Sequence, residues 1–496
     1  MTASEQRPWP DGSPQQPITV AIAGATGLIG THVRNLLEQD PRFRVVVLTR
    51  SPARAGSSEA FDGRARWRHC DLFSLHITEE ALAGVDVAVY LAHSMLPSSR
   101  LTQARFVDLD LILVDNFAHA AASAGVRQIV HISSLIPAGD THGSAYLEHK
   151  IEEEQTMASC SVPVTTLRAG LILGPGGSTA RFLVNLVRRL PLQLLPAWCQ
   201  APTRPIAAVD VARAVVAVSA EPAYLGQTYE LGGPDTMTFA EMLERAASVL
   251  YKRRVFLKLP GRWSRLSRLC LTLFGSASKA LAGMVVDSHE RAVVPQPNPV
   301  LDVIMPDAVP FETMLRESIQ HDGRAMPNPR QPLRQAEAAL LKARSEVRSV
   351  QRLRLPPGRD AVWVAHQYMR WLPRFGFPFI KADIGPDRHV QIRVRGINVT
   401  LLELSFSPGH STPNRQIFHI TGGVLVRPNT DGWLGRLELR EILDQRYVLT
   451  GIHNFRPAMP WYLYNLTQAQ AHLFAIHLLD LFLQRAYAQE KRRTAG

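Results

Sequence analysis

The 496-residue sequence lacks the features of a membrane-spanning or secreted protein. No stretch reaches the roughly 18 uninterrupted apolar residues that a membrane-spanning helix needs, because glycine, serine and lysine interrupt the most apolar segment, 269–286. Residues 1–17 have neither the basic start nor the apolar core of a signal peptide. Their polar, proline-rich composition predicts a disordered tail. We therefore expect a protein that crosses no membrane.

Cysteine is scarce, and the four cysteines lie far apart without a CxxC pair. This spacing argues against a disulfide framework and a structural zinc site, and it is typical of a reducing compartment. The 17 histidines show no metal-binding spacing such as HExxH. We expect a cytoplasmic protein with no bound metal.

The positive charge of the chain is unevenly distributed. The net charge is +12, yet residues 249–270 alone carry seven basic groups and no acid. Residues 324–359 carry nine basic groups against two acids, so the rest of the chain is close to neutral. This pattern indicates two local basic surfaces instead of a groove built for nucleic acid, and we expect no nucleic-acid partner.

The first half of the chain alternates short apolar strands with helical segments. Residues 18–24 form a β-branched run that ends in glycine, and a helical pattern follows at 26–39. Further strands are predicted at 44–49, 85–92, 127–133 and 162–168. Repeated β-α-β units at this spacing predict an α/β fold with a doubly wound, parallel Rossmann sheet.

The predicted organisation has four parts: a tail at 1–17, a dinucleotide-binding domain at 18–320 with a substrate or cap region over about 170–320, a linker at 321–335 and a C-terminal α+β domain at 336–496. The last begins with a short charged helix. Long strands are predicted at 390–407, 415–427 and 435–455, and a final helix at about 460–489. This order is similar to that of helix-grip ligand-binding domains, and a packing or dimerisation module is the alternative.

The first strand leads into the glycine-rich stretch GATGLIG. In such a loop Gly24 permits a tight turn, Gly27 lets the backbone approach a pyrophosphate, and Gly30 lets the helix pack closely. The N-terminus of the helix then directs N–H groups and a positive dipole at the phosphates. A dinucleotide is therefore predicted to bind the whole loop, which consists of Gly24, Ala25, Thr26, Gly27, Leu28, Ile29 and Gly30.

The end of the second strand indicates which dinucleotide is preferred. An NAD site places an acid about 20 residues after the glycines, where it binds the ribose hydroxyls. Here the strand ends at Thr49 and is followed by Arg50 and Arg54, without an acid. Because arginine suits a 2′-phosphate, we favour NADP(H) over NAD(H). The alternative is that Arg50 merely occupies a surface position at the strand end.

Several segments together resemble the short-chain dehydrogenase/reductase superfamily, in its extended and atypical branch with epimerase/dehydratase-like, NmrA-like and complex-I-accessory-like members. GATGLIG resembles the TGxxGxxG loop, YLAHSM at 90–95 the segment after the fourth strand, and ISS at 132–134 the end of strand five. The segments 167–176, 204–215 and 229–243 resemble those that shape the substrate side of the cleft. The resemblance covers about residues 16–320.

The same resemblance assigns residues around the nucleotide. Asp71 and Leu72 resemble the acid-apolar pair beside the adenine. Ala92 and His93 follow the fourth strand, near the expected position of the nicotinamide phosphates. His93 is either a residue at the edge of the cofactor or an incidental polar residue in a turn.

SAYLEHK, at 144–150, resembles the catalytic helix of active members. There a serine polarises the substrate carbonyl, a tyrosine transfers the proton, and a lysine binds the nicotinamide ribose and lowers the tyrosine pKa. Tyr146 and Lys150 lie one helical turn apart, and Ser133 and Ser134 precede Tyr146 by thirteen and twelve residues. Ser134 is the better candidate for the carbonyl donor. The alternative is that tyrosine and lysine are ordinary helix neighbours.

Two departures from the family pattern bear on catalysis. The asparagine of the proton relay is replaced by Asp110, and Asn116 lies further along the same helix. Many atypical relatives lack the tyrosine altogether, whereas this chain retains it. Retention of the tyrosine favours a catalytic role.

The sequence therefore predicts an oxidoreductase that transfers a hydride between NADP(H) and a small, hydrophobic carbonyl or alcohol substrate. The first alternative is a non-catalytic NADP(H)-sensing or assembly protein, and the second is a nucleotide-dependent epimerase or dehydratase. The basic stretch 252–268 runs into an amphipathic helix, which we expect to cap the substrate cleft. Peripheral contact with a membrane is the less favoured alternative for that helix.

Overall fold

The computed structural model describes residues 9–10, 12–13, 15–51, 55, 65–92, 101–137, 144–329, 347–375, 379–397, 399–427 and 434–495. Arg54, His93, most of the predicted tail and the charged helix predicted after residue 335 lie outside these residues. The contact pattern divides the chain into two units. The first comprises Met1–His93 and Asn116–Pro332, and the second comprises Ser94–Asp115 and Leu333–Gly496.

The strands of the described residues are numbered along the chain. They are β1 Ile18–Ala23, β2 Phe43–Thr49, β3 Ala65–His69, β4 Val87–Tyr90, β5 Leu101–Ala104, β6 Gln128–Ser134, β7 Val164–Ala169, β8 Ile172–Leu173, β9 Leu192–Leu195, β10 Pro202–Thr203, β11 Ile206–Ala207, β12 Thr228–Leu231, β13 Met237–Thr238, β14 Val255–Lys258, β15 Val347–Arg354, β16 Ile380–Ile384, β17 Val390–Val394, β18 Thr400–Phe406, β19 Arg415–Gly422, β20 Gly435–Ile442 and β21 Tyr447–Phe455.

The α-helices of the same residues are numbered in the same way. They are α1 Leu28–Gln39, α2 Leu75–Leu82, α3 Phe106–Ser123, α4 Ala145–Ala158, α5 Ser178–Arg189, α6 Ala208–Ala220, α7 Phe239–Val249, α8 Ser264–Gly275, α9 Lys279–Ser288, α10 Pro299–Ile304, α11 Phe311–Glu317, α12 Ala361–Trp371, α13 Trp461–Leu466 and α14 Gln468–Ala495. Within the described part of the chain, no helix is long and apolar enough to cross a membrane.

The first unit is built around a seven-stranded parallel sheet in the order β12-β7-β6-β4-β1-β2-β3. Its central strands are buried along most of their length, because they consist of valine, isoleucine and alanine. The predicted parallel Rossmann sheet is confirmed. The strand order changes direction between β1 and β4, so the carboxyl ends of these two strands open a crevice where ligands of such sheets bind.

A second core in the first unit lies in the region after residue 170. It is formed by α5, α7, α8, α9 and α11, whose buried side chains pack around Trp198. The ring of Trp198 contacts that of Phe239 at a centroid distance of 5.1 Å. This core fixes α9, which forms part of the site described below.

The second unit contains an eight-stranded sheet in the order β16-β17-β18-β19-β20-β21-β15-β5. Its strands pair antiparallel except β5, which runs parallel to β15. The helices α12 and α14 contribute side chains to the hydrophobic core of this sheet. The segment 435–455 contains two strands, because Leu443, Asp444 and Gln445 adopt positive φ angles and reverse the chain. The final helix is likewise divided, at Thr467.

Strand β5 was not predicted from the sequence, and it brings a short segment of the chain into the second unit. Leu101 and Ala104 pair with Val347 and Val350. The division between the two units falls inside α3, between Asp115 and Asn116. The first half of α3 is joined to the sheet by an ion pair in which the guanidinium of Arg352 lies 2.8 Å from Asp108.

A buried ion cluster lies in the second unit. The carboxylate of Glu438 accepts hydrogen bonds from Arg415 at 2.8 Å, Arg436 at 3.3 Å and Arg440 at 2.6 Å. Arg440 also donates to Asp115 at 2.5 Å. Burial alone raises the pKa of Glu438, but the three guanidinium groups together outweigh it and hold the pKa well below its usual range.

Candidate functional site

The glycine-rich loop at the end of β1 is folded tightly upon itself. Gly24 has a φ of +91°, and a Cβ there would lie 2.8 Å from the backbone of Leu91. The N–H of Gly27 donates to the carbonyl of Gly24 at 2.8 Å. A Cβ on Gly30 would lie 2.2 Å from that same carbonyl oxygen. None of the three glycines has room for a side chain. The sequence predicted that Gly30 lets helix and sheet pack closely, whereas the structure shows that it lets the start of α1 pack closely against the loop itself.

The N-terminus of α1 offers donors to an anion. The helix begins at Leu28 after Gly27, no described side chain caps it, and its first turn holds no acid. The N–H groups of a first helical turn have no partner within the helix, and the helix dipole adds positive potential there. The cradle of backbone left by the glycines fits a pyrophosphate group. Gly24 to Gly30 would hold the nucleotide there.

Other predicted nucleotide contacts lie at the carboxyl ends of the neighbouring strands. Arg50 is exposed directly after β2, and Ala92 is half-buried just after β4. Asp71 is half-buried, and its carboxylate accepts from the N–H of Phe73 at 3.2 Å. The carbonyl of Leu72 accepts from the side-chain amide of Asn116 at 2.8 Å.

Asn116 has a structural task that the sequence did not reveal. Its side chain is fully buried on α3, and its hydrogen bond to Leu72 fixes the loop that follows β3. Asp110, which replaces the family asparagine, is also buried on α3. Thus Asn116 positions the predicted adenine edge of the site.

Ser134 and Tyr146 are hydrogen-bonded to each other through their hydroxyl groups. Ser134 is the last residue of β6, and Tyr146 lies in the first turn of α4, which is capped by Ser144. Because neighbouring side chains on a strand point to opposite faces, Ser133 does not share this contact. Its hydroxyl is buried without a hydrogen-bond partner among the described residues.

Lys150 lies one turn after Tyr146 and is buried. Its ammonium group donates to Glu153 at 2.5 Å, and the other carboxylate oxygen of Glu153 lies 3.4 Å from the imidazole of His149. Sequence reasoning missed Glu153. The signal was present, because positions 146, 150 and 153 recur at the spacing of one helix face.

Burial raises the pKa of Tyr146, while the charge of Lys150 and the hydrogen bond from Ser134 act in the opposite direction. Glu153 adds to the upward shift. The net direction is upward from 10, so the phenol is protonated at neutral pH. In this state the side chain is a proton donor.

A small cavity of about 40 Å³ lies beside these two hydroxyl groups. Its walls are mainly apolar and include Ser134, Tyr146, Thr203, Met284 and His289. The region after residue 170 contributes the last three: Thr203 from β10, Met284 from α9, and His289, which follows α9. None of the described lining residues belongs to α8.

His289 was not among the predicted site residues. Its ring is buried, and burial lowers its pKa to about 4, so it is neutral at physiological pH. Nδ1 lies 2.8 Å from the carbonyl of Val285 and must carry the proton, because a carbonyl only accepts. Nε2 is thus an acceptor, and it has no hydrogen-bond partner among the residues described.

An acid on α9 connects this helix to α4. The hydroxyl of Ser144 donates to Asp287 at 3.3 Å, and Arg268 of α8 forms an ion pair with the same carboxylate at 2.5 Å. Ser144 is the N-cap of α4. The position of Tyr146 is therefore coupled to the position of α9.

Comparison with curated proteins gives partial matches. A 147-residue alignment to the auxiliary protein GraX of Staphylococcus aureus is 29% identical and covers 30% of this chain and 42% of GraX. A 273-residue alignment to the mitochondrial NADH-ubiquinone oxidoreductase 40 kDa subunit of Neurospora crassa is 24% identical and covers 55% of this chain and 69% of that subunit. The chain therefore spans less than half the length of GraX.

Comparison with solved structures also gives partial matches. A nucleoside-diphosphate-sugar epimerase from Staphylococcus aureus superposes with a TM-score of 0.48 and 19% identity, over 60% of this chain and 100% of the epimerase. The NADPH-dependent quinone oxidoreductase QOR2 from Escherichia coli gives 0.47 and 21%, over 60% and 98%.

A family model also matches part of the chain. Residues 20–232 match the NAD dependent epimerase/dehydratase family. The match starts in β1 and ends just after β12, so it includes the glycine loop, Ser134, Tyr146 and Lys150. The similarity to this family thus covers residues 20–232, and the chain continues beyond it into a C-terminal region with its own mixed sheet.

Proposed function

We propose that the protein is an NADP(H)-dependent reductase of the short-chain dehydrogenase/reductase type, acting on a hydrophobic carbonyl substrate. The observation that carries this proposal is the contact between the hydroxyl groups of Ser134 and Tyr146 at the wall of a mainly apolar cavity. Two adjacent hydroxyl donors can polarise and protonate one carbonyl oxygen. The buried ammonium group of Lys150 stands one helical turn away.

Each group has a role in this proposal. The glycine loop holds the pyrophosphate, Arg50 faces the 2′-phosphate, and the nicotinamide, when bound, supplies the hydride. Ser134 donates a hydrogen bond to the carbonyl oxygen, and Tyr146 gives it a proton. Lys150 lies on the same helix face as Tyr146, and its charge stabilises the phenolate that proton transfer leaves behind.

The upward shift of the Tyr146 pKa favours reduction over oxidation. Reduction needs the phenol, which persists until the pH rises above the pKa, whereas oxidation needs the phenolate as a base. Carbonyl reduction should therefore be insensitive to this group across neutral pH. Alcohol oxidation should increase as the solution becomes more alkaline.

Turnover on a panel of hydrophobic aldehydes, ketones and enones, combined with NADPH titration, tests the proposal. NADPH consumption with any of these substrates supports a reductase. Stoichiometric binding of NADPH without consumption would instead favour a nucleotide-sensing or assembly protein. A nucleotide that co-purifies and resists dialysis would favour epimerase or dehydratase chemistry.

Replacing Arg50 with aspartate should reverse the preference between cofactors. A guanidinium–phosphate pair contributes about 1.5–3 kcal/mol, so the NADPH affinity should fall by about 10- to 100-fold while NADH affinity holds or rises. Fluorescence titration with both nucleotides measures the ratio. Arg44→Asp is the matched control, because Arg44 is exposed near the opposite end of β2. An unchanged ratio in Arg50→Asp would show that Arg50 does not face the 2′-phosphate.

His289 is proposed to accept a hydrogen bond from a donor group on the substrate. Its Nε2 is buried and has no hydrogen-bond partner among the described residues, so a substrate hydroxyl or N–H would satisfy it. We expect His289→Leu to raise KM by about 10- to 100-fold for substrates that carry such a donor, and to leave other substrates nearly unaffected.

The control for this variant is Met284→Leu, a volume-conserving change at another residue that lines the same cavity. Steady-state kinetics on paired substrates, with and without the donor, gives KM and kcat separately. Equal losses for both substrates of a pair would assign His289 to packing instead of recognition.

A further inference from the structure

The helix α8 presents an apolar face to solvent. Leu266, Leu269 and Leu273 recur at helical spacing and are 45%, 53% and 61% exposed. A different face of the same helix, with Ser267, Leu271 and Gly275, is buried in the second core of the first unit, which surrounds Trp198. The helix therefore has two apolar or small-residue faces, of which only one is used inside the unit.

The apolar surface continues in the strand pair β9 and β14. Leu192 pairs in register with Val255, and Leu194 with Leu257, and all four side chains are exposed. Strand β14 runs into α8 through Pro260, whose carbonyl accepts from the indole N–H of Trp263 at 2.6 Å. Exposed apolar side chains thus lie on consecutive elements of one segment. Such a patch on a globular protein commonly marks an interaction site.

Trp263 stands at the junction of the strand and the helix. It is 53% exposed and adopts the left-handed conformation, with a φ of +48°. This conformation is costly for a bulky residue and persists only where the surrounding structure imposes it. An exposed tryptophan is also typical of the interface between water and lipid.

Basic side chains predominate around this surface. Two acids contact this segment: Asp287 pairs with Arg268, and Glu290 accepts from Ser264 and lies 4.0 Å from Arg262. Lys252, Arg253, Lys258, Arg262 and Arg265 are exposed, and the sequence 249–270 contains no acid. On the helical wheel of α8, Arg265 adjoins the leucine face. Basic groups that border an apolar face match a surface that is apolar inside and negatively charged outside.

We propose that α8, together with β9 and β14, docks the protein on the surface of an anionic lipid membrane. The leucines and Trp263 would enter the boundary between headgroups and acyl chains, and the lysines and arginines would lie among the phosphates. The positive charge favours an anionic membrane over a second copy of the chain, because the second copy would bring the same positive charge against this surface.

Co-sedimentation of the full chain with lipid vesicles tests the proposal. We expect binding to vesicles of phosphatidylcholine with phosphatidylglycerol, weaker binding to phosphatidylcholine alone, and loss of binding in high salt. The variant Lys252→Gln/Lys258→Gln/Arg265→Gln should bind about 100-fold more weakly, at about fivefold for each removed charge.

A second variant tests the apolar face without changing the buried side chains of α8. Leu266→Ser/Leu269→Ser/Leu273→Ser changes only exposed side chains and should abolish vesicle binding. The matched control is Val303→Ser/Val424→Ser/Leu434→Ser, at apolar positions that are 54%, 57% and 49% exposed elsewhere. It should bind as the wild type does.

Three outcomes would overturn the proposal. One is failure of the wild-type chain to bind anionic vesicles, and another is equal binding by the leucine variant and its control. The third is a wild-type dimer in light scattering that the leucine variant converts to a monomer, because a second copy would then cover this face.

Discussion

Replacing Tyr146 with phenylalanine is expected to lower the turnover of carbonyl substrates by about 100- to 10,000-fold, the contribution usual for a positioned proton donor. The change removes one hydroxyl and leaves the ring, so packing at the start of α4 is retained. The glycine loop and Arg50 are untouched, and NADPH affinity should stay within about twofold of the wild type. Steady-state turnover and fluorescence titration on the same preparation separate the two effects.

Two companion variants sharpen this test. Ser134→Ala keeps the phenol but removes its partner, and a smaller loss of about 10- to 100-fold is expected, in kcat more than in KM. Tyr229→Phe is the matched control. Tyr229 lies on β12 in the same sheet, its ring contacts that of Tyr224, and it does not line the cavity. Turnover of Tyr146→Phe equal to that of Tyr229→Phe would remove the basis for the proposed chemistry.

The parallel sheet of the first unit could be predicted because its signals are local. Strands such as β1 and β4 are apolar runs, and the glycines that follow β1 mark the turn within a few residues. Strand β3 has the sequence ARWRH, which has only two apolar residues and no apolar run, so it was not predicted. It exists because its backbone pairs with β2 along five consecutive residues.

Strand β5 shows a different limit. Its sequence, LTQA, is too short to predict a strand, and its partner β15 lies more than 240 residues further along the chain. Pairing over such a separation is set by the tertiary structure and not by local preference. The same reason explains why the sequence did not reveal that the chain enters the second unit before it completes the first sheet.

The candidate site likewise combines residues with a local sequence signal and residues brought together only by the tertiary structure. The segment from Ser134 to Lys150 is short, and its spacing can be compared with a known pattern. His289 reaches the same cavity from just after α9, far along the chain, and no spacing rule connects it to Tyr146. Glu153 was overlooked for another reason. It is one of three consecutive glutamates, and its spacing of three residues from Lys150 on α4 was the signal that distinguished it from its neighbours.

In the second unit, Glu438→Gln is expected to destabilise the sheet by about 3–5 kcal/mol. The glutamine keeps the shape but removes the negative charge, so the buried Arg440 and the half-buried Arg415 and Arg436 would surround a neutral group. A surface pair in the same sheet is the control. Asp383→Asn breaks the exposed pair with Lys381 and should cost less than about 1 kcal/mol.

Hydrogen–deuterium exchange of the full chain, followed by mass spectrometry, reports the opening of β19, β20 and β21 separately from the first unit. Faster exchange in these strands for Glu438→Gln, and unchanged exchange for Asp383→Asn, is the expected result. Similar exchange in the two variants would show that the cluster contributes no more than a surface pair.

The same cluster predicts how the stability of the second unit depends on pH. Because the pKa of Glu438 is depressed in the folded state, its contribution is complete above the pKa of an unfolded glutamate and is lost as the pH falls through the folded-state pKa. The wild-type strands should therefore open more readily in acid, while Glu438→Gln should show a flatter pH profile in the same range. Equal slopes for the two proteins would mean that other carboxylates, such as Asp115 beside Arg440, carry the acid sensitivity of this sheet.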